Sequence, residues 1–177
     1  MEPFFGGSHR AFVLGLQRHS RHRIHRFSLP AELWKWRLRS AALALSRKVL
    51  RGPRPQVLFA SSMMDAAHLR ALLGPHAPPM AFYFHENQLG YPTPDGKGAD
   101  LHLGITNVAS ALAADRVVFN SRFHRDDFLR RLPEFLRRLP PPRPTGLAAA
   151  LRRRMRVLHP GVDLPPPPRD RRSRHPG

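Results

Sequence analysis

The stretch MAFYFHENQ, residues 80–88, decides the fold. Met80 to Phe84 form an unbroken apolar run, which suits a strand buried on both faces, and parallel sheets supply that environment. At His85 the run turns abruptly polar. An ionisable pair, His85 and Glu86, is costly at the end of an apolar strand unless it is bonded or used.

Reading outward, QVLFASS (56–62) and DRVVFNS (115–121) are further short apolar runs that end in serine or asparagine. Between them lie helical patterns: MDAAHLRALLG (64–74) closed by Gly74, and ADLHLGITNVASALAA (99–114). RFHRDDFLRRL (122–132) is another helix, and the basic stretch GLAAALRRRM (146–155) leads to a last strand, RVLH (156–159). Toward the front, RIHRFSL (23–29) alternates with one slip and reads as a strand ended by Pro30. AELWKWRLRSAALALSRKVL (31–50) is a long amphipathic helix stopped by Gly52 and Pro53. The order implies an open α/β fold, a Rossmann-like and mostly parallel sheet with helices on both faces. The first strand is largely missing, with Pro3, Phe4 and Phe5 left to form it before Gly6-Gly7.

In such sheets ligands bind beyond the C-terminal strand ends, near the reversal of strand order. The rule selects Gly6-Gly7-Ser8, Ser61-Ser62, HENQ at 85–88 and NSRFH at 120–124, which should converge on one edge. Two glycines let backbone approach a ligand, and the following helix, 8–19, offers free N–H groups to an anion. His9 and Arg10 add donors there. A tight turn with Ser8 as N-cap is the structural alternative. His85 can hydrogen-bond a substrate hydroxyl, with Glu86 orienting it or acting as a base; a His–Glu pair capping the strand is the alternative. Asn120 and Ser121 read equally as helix caps or ligand contacts. His102 and His124 read as surface or packing residues, and one of Trp34 and Trp36 should face outward. No second His or carboxylate stands at helical spacing near His85, so no metal site is expected.

Composition narrows the classes. The 177 residues carry 30 Lys+Arg against 12 Asp+Glu, a formal charge of +18. Such a field attracts polyanions, nucleic acid above all; codon drift in a GC-rich genome explains the same arginines. The absence of cysteine excludes disulfides and thiolate metal sites and fits the cytoplasm. Neither a secretory leader nor a run of about 18 apolar residues is visible, so no membrane span is expected. Gly-x-Ser-x-Gly, Walker and His-Glu-x-x-His patterns are absent from the sequence. The 20 prolines concentrate partly in the tail, and the expected division is a domain at 1–164 followed by a Pro/Arg-rich tail at 165–177.

Taken together, EPFFGGSHRAF (2–12), FYFHENQLGYP (82–92), LHLGITNVASALAADRVVFNSRFHRDDF (101–128) and VLHPGVD (157–163) resemble the N-terminal half of the tRNA-queuosine α-mannosyltransferase family. That family belongs to the retaining glycosyltransferases of GT-B architecture, in which two Rossmann-like domains face each other. The resemblance implies GDP-mannose as donor substrate, no cofactor, and queuosine in a tRNA anticodon loop as acceptor. By the same analogy Gly6, Gly7, Ser8 and His9 line the donor diphosphate, and His85 and Glu86 are the catalytic pair at the sugar or acceptor hydroxyl. Asn87, Asn120 and Ser121 become further cleft residues. LHPGVD (158–163) resembles the crossing into the donor domain, so the chain is expected to lack that domain and to be inactive alone. A start placed too far downstream would explain the short first strand, whose loss leaves backbone groups unpaired at about 1–3 kcal/mol each. Two other readings stand beside this one: a non-catalytic basic RNA-binding module, and a glycosyltransferase fragment with a lipid or glycan acceptor.

Overall fold

The computed structural model describes residues 1–91 and 99–163. Most of the Gly/Pro loop read at 89–98, and the tail read at 165–177, lie outside the described residues. In chain order the elements are β1 (Glu2–Phe5), α1 (Gly7–His19), β2 (Ser28–Pro30), α2 (Trp34–Arg51), β3 (Leu58–Ser61) and α3 (Ala66–Leu73). Then come β4 (Met80–Phe84), α4 (Leu101–Ala113), β5 (Arg116–Phe119), α5 (Arg122–Arg137), α6 (Leu147–Arg152) and β6 (Met155–Val157).

Every strand pair is parallel. β3-β4-β5-β6 form one four-stranded sheet, and β1-β2 form a separate pair. The two meet at residue 1, where the Met1 nitrogen donates to the Phe59 carbonyl and Ser61 N–H donates to the Met1 carbonyl at 3.2 Å. The spatial order is therefore β2-β1-β3-β4-β5-β6, and strand order reverses between β1 and β3. The first strand is short but present: Glu2–Phe5 pairs with Ser28–Pro30. The seam beside β3 marks where its pairing runs out.

Alternation along the strands sorts the two faces. Leu58, Ala60, Met80, Phe82, Phe84, Val117 and Phe119 join residues of α2 to α6 in the main core. On the opposite face Phe12 of α1 stacks on Tyr83 of β4, ring centres 4.5 Å apart, and approaches Phe59 at 6.1 Å. Among the described residues helices thus lie on both faces, five against one.

Local chemistry explains the helix boundaries. Asp65, Asp100 and Ser121 cap α3, α4 and α5 by accepting backbone N–H bonds. Ser8 does not cap α1: the helix starts at Gly7, with Gly6 as the capping residue and no side-chain bond. The strand read at 23–29 shrinks to Ser28–Pro30; of the residues before it, Phe27 meets β1 through its carbonyl, which accepts the Glu2 N–H at 2.9 Å. α5 runs on to Arg137 through Pro133, beyond the expected end. Trp36 is 70% exposed, whereas Trp34 is half-buried and tilts toward Tyr91.

Gly104 is where α4 and α5 meet. A Cβ there would stand 2.3 Å from the Phe135 ring, which is itself buried and cannot swing away. Gly104→Ala is expected to destabilise the fold, because overpacking of about 1–3 kcal/mol exceeds the helix-propensity gain of at most about 1 kcal/mol. Gly15→Ala, with nothing within 4 Å, should stabilise slightly. Urea denaturation of the two variants checks the contrast.

Candidate functional site

The four polar segments named from sequence meet at the C-terminal strand ends. The ring of His9, in the first turn of α1, lies 4.1 Å from the ring of His85, which follows β4. Gly6 and Gly7 shape the bend ahead of His9 for two different reasons. A Cβ at Gly6 would stand 2.5 Å from Ala31 Cβ, and Gly7 has φ +49°, in the left-handed region. That region costs an ordinary L-residue about 1–2 kcal/mol. The bend therefore needs both glycines for its own shape. With no side-chain cap, and the first helical bond running from Arg10 N–H to the Gly6 carbonyl at 3.1 Å, the amides of Gly7, Ser8 and His9 are left for another acceptor.

His9 is buried and points inward. Its Nδ1 faces Glu2 Oε2 at 3.1 Å and its Nε2 faces Glu86 Oε2 at 3.4 Å. Both nitrogens are committed, so the ring braces the bend and does not offer a donor outward. Burial works against its proton, but the hydrogen bonds and charges of Glu2 and Glu86 win and raise its pKa to about 9. Burial would raise the Glu86 carboxyl; the His9 bond and charge, helped by His85 and Ser62, instead hold it below the ordinary range. Burial, with the positive charge of His9 next, pushes His85 down to about 4 against the pull of Glu2 and Glu86. His85 is thus a neutral imidazole, edge-on to Phe12 and Tyr83 at 5.0 and 4.8 Å. Its buried Nε2 has no hydrogen-bond partner among the described residues.

A frame of hydrogen bonds from Ser62, Asn120 and His124 fixes this turn. His85 N–H donates to the Ser62 hydroxyl at 3.3 Å, and that hydroxyl donates to Glu86 Oε1 at 3.3 Å. Asn120 Nδ2 donates to the His85 carbonyl at 2.8 Å, while its Oδ1 lies 3.0 Å from His124 Nδ1. His124 Nε2 in turn lies 2.8 Å from Asn87 Nδ2, so the ring donates through Nδ1 and accepts through Nε2. Ser121 caps α5 through His124 N–H at 3.1 Å and donates to Asn120 Oδ1 at 3.2 Å. His124, read from sequence as a surface or packing residue, instead joins the ends of β4 and β5. His102, on the exposed outer side of α4, does not enter the site.

Beside this frame opens a cleft of about 360 Å³, lined by His85, Glu86, Asn87, Tyr91, Asn120, Ser121, Phe123, His124 and Asp127. Polar side chains share its lining with the rings of Phe123, 82% exposed, and Tyr91, 48% exposed. Sequence reasoning did not reach Glu2 or Tyr83. The signal for Glu2 was an acidic residue opening an apolar strand, which becomes meaningful only when β1 lies beside β3. Ligand-type atoms of Glu2, His9 and His85 fall within 4.8 Å of one another. His9 turns each of its nitrogens toward a carboxylate, and its ring lies tilted at 41° to that of His85.

The two histidines titrate in opposite senses, which fixes the pH dependence of stability. His9 is raised from 6.5 to about 9, so its contribution is full below 6.5 and lost as pH rises through about 9. His85 is lowered from 6.5 to about 4, so its contribution is full above 6.5 and lost as pH falls through about 4. Stability is expected to peak near neutrality and decline on both sides, as thermal melts across pH 4–10 would show. Glu86, depressed, adds to the acid limb only.

Comparison with known proteins adds descent to this geometry. The family described as "tRNA-queuosine alpha-mannosyltransferase N-terminal" matches residues 1–162. Six curated proteins match. Among them, tRNA-queuosine alpha-mannosyltransferase of Drosophila melanogaster is 37% identical over 165 residues, covering 90% of this chain and 43% of the relative. No solved structure matches. Among the described residues no helix is long and apolar enough to cross a membrane. A match that spans nearly all of the folded chain, glycine bend and His85 turn included, settles the ancestry: the chain belongs to the tRNA-queuosine alpha-mannosyltransferase N-terminal family.

Proposed function

We propose that this chain forms the acceptor-side half of a retaining mannosyltransferase that moves mannose from GDP-mannose to queuosine in a tRNA anticodon loop. One observation supports the reading above the others. In a member of this family the α1 bend and the ends of β3, β4 and β5 bring Gly6 to His9, His85 and Asn120 to a single edge, with His9 and His85 rings 4.1 Å apart. Under this reading the donor diphosphate lies over the open amides of Gly7, Ser8 and His9, where the helix dipole favours negative charge. Neutral His85 meets a hydroxyl of the transferring sugar or of the acceptor. Glu86, ionised and tied to Ser62 and His9, orients the turn and is a poor base. The bond from the anomeric carbon to the diphosphate breaks, GDP leaves with the electron pair, and the acceptor oxygen bonds on the same face as its proton passes to the departing diphosphate oxygen. Fixed donors steady the charge that develops on the departing diphosphate. The guanosine seat is assigned to a second lobe, in the part of the polypeptide that the Drosophila relative has and this chain does not span.

A cytoplasmic tRNA acceptor gives the charge of +18 a partner. The arginines at 18, 21, 23 and 26 are exposed. That patch also favours the second reading, a basic RNA-binding module without catalysis. Joining this chain to the C-terminal part of the Drosophila relative separates the two. With GDP-mannose and queuosine-containing tRNA, mass spectrometry is expected to find one added hexose per queuosine, and none with the 177-residue chain by itself. Salt-sensitive tRNA binding without transfer by the joined protein would favour the RNA-binding module. Mannosylation of a lipid or glycan in place of tRNA would overturn the acceptor assignment.

A further inference from the structure

Glu2 is 1% exposed, and both oxygens of its carboxylate are engaged. Oε1 accepts from Phe4 N–H at 3.0 Å and from the Ser61 hydroxyl at 3.1 Å, while Oε2 faces His9 Nδ1 at 3.1 Å. A buried carboxylate is tolerated only when paired in this way. Its partner ring has a second carboxylate, Glu86, at the other nitrogen, 3.4 Å away. A neutral imidazole has one N–H and can satisfy only one of the two; the imidazolium satisfies both.

We propose that Glu2 is a positioning residue for the cleft: from beneath the Gly6-Gly7 bend it clamps His9 as an imidazolium, and His9 in turn aligns Glu86 and backs the ring of His85. A carboxylate outside the cleft thereby sets where the two cleft side chains stand and which protons they carry. The chain of contact is continuous, from β1 through the first turn of α1 to the turn after β4. Because a fixed cation lies against the His85 ring, a second proton on His85 is disfavoured, and the residue meets its hydroxyl as neutral imidazole. Because Glu86 spends Oε2 on His9 and Oε1 on Ser62, it keeps its charge and its direction.

The groups facing His9 are few. From β1 comes Glu2, which also feels the Met1 amino group bonded to the Phe59 carbonyl; from the turn after β4 come Glu86 and His85. The Phe4 and Phe12 rings and the hydroxyls of Ser61 and Ser62 carry no charge, and His124 of α5 bears on His85 from the far side. Net charge on the trio Glu2, His9 and Glu86 is therefore −1 with His9 protonated. That balance makes the trio a brace, and leaves diphosphate binding to the backbone amides of the bend.

From the proposed function only the identity of the hydroxyl brought to His85 is carried over. A titration reads protons and not mannose, so failure of the mannosyltransferase reading and failure of the brace are distinguishable. The test is NMR of the whole chain with ¹³C,¹⁵N-labelled histidine, followed from about pH 2.5 to 10. In the wild type, His9 is expected to keep both nitrogens protonated through neutrality, with a midpoint near 9, and His85 to titrate near 4. In Glu2→Gln, with the fold verified by circular dichroism, the His9 midpoint should fall by more than one pH unit. The His85 midpoint should fall as well, because His9 is still cationic near pH 4 while a negative charge that favours a proton on His85 has gone. Where Glu2→Gln does not fold, Glu86→Gln removes the opposite carboxylate at a partly exposed position and should move both midpoints the same way. A wild-type His9 midpoint at or below 6.5 overturns the clamp without any variant. An unmoved His85 midpoint in a folded Glu2→Gln protein overturns the link between them. Stoichiometric Zn²⁺ binding that shifts the His9 and His85 signals at neutral pH would replace the proton with an ion, and overturns it too.

Discussion

Changing His85 to alanine, in this chain joined to the C-terminal part of its Drosophila relative, is expected to lower mannosyl transfer about 10²–10³-fold while the fold persists. The loss should fall on kcat more than on KM, because under the proposed function the imidazole meets the reacting hydroxyl while the bulk of the tRNA is gripped elsewhere. The site tolerates the truncation. His85 is anchored by its backbone, through Ser62 and Asn120, and its ring lies on Phe12, Tyr83 and His9 without filling the main core. Its own titration lies near pH 4, so the wild-type rate should be flat from about pH 5.5 to 8 as far as this residue governs it. Steady-state kinetics with queuosine-containing tRNA, together with a denaturation curve for the variant, read both halves of the expectation. Unchanged turnover in His85→Ala would remove the residue from the chemistry.

The largest effect on stability is expected one residue earlier. Phe84 is fully buried, stacks on Phe119 with ring centres 4.9 Å apart, and touches Phe82 and Phe128 at 4.9 and 5.3 Å. Phe84→Ala leaves a cavity in a cluster drawn from two strands and α5, and such truncations remove about 3–5 kcal/mol. A domain of this size has about 5–15 kcal/mol in total, so the variant should sit near its unfolding threshold at room temperature. Phe84→Leu retains most of the volume and should lose much less. Urea midpoints for the pair separate a packing effect from a general intolerance of change. Since Phe84 leads directly into His85 and also approaches His124 at 6.2 Å, activity in the leucine variant reports how far the turn depends on the ring beneath it.

How much of this was legible in the sequence depends on the range of the forces involved. β3, β4 and β5 were readable because each is buried on both faces, which writes a continuous apolar run. Asp65, Asp100 and Ser121 act within a few residues, so helix starts could be located to within a few positions. RIHRFSL misled because its alternation is set by basic residues at the surface; the pairing with β1 begins at the Phe27 carbonyl and runs through Ser28–Pro30. Ser8 had the composition of a cap, but Gly7 adopts the left-handed turn and the helix begins one residue early. The edge that gathers the site was legible from topology, whereas the trio Glu2, His9 and Glu86 was not. Its members are separated by up to 84 positions in sequence, and nothing local at Glu2 distinguishes a brace from an ordinary surface acid. His124 escaped for a related reason: the partners that give it a role, Asn87 and Asn120, arrive from the ends of two different strands.

The seam between β1 and β3 bears on vectorial synthesis. A nascent chain delivers β1 before any strand that can flank it, and all its pairings are parallel, so none can close as a simple hairpin. β3, β4 and β5 can condense with α2 to α5 as they leave the ribosome, while the leading segment waits to be docked along an edge already built. The glycine bend and its histidine are then shaped last, and a newly made molecule owns its scaffold before it owns its chemistry.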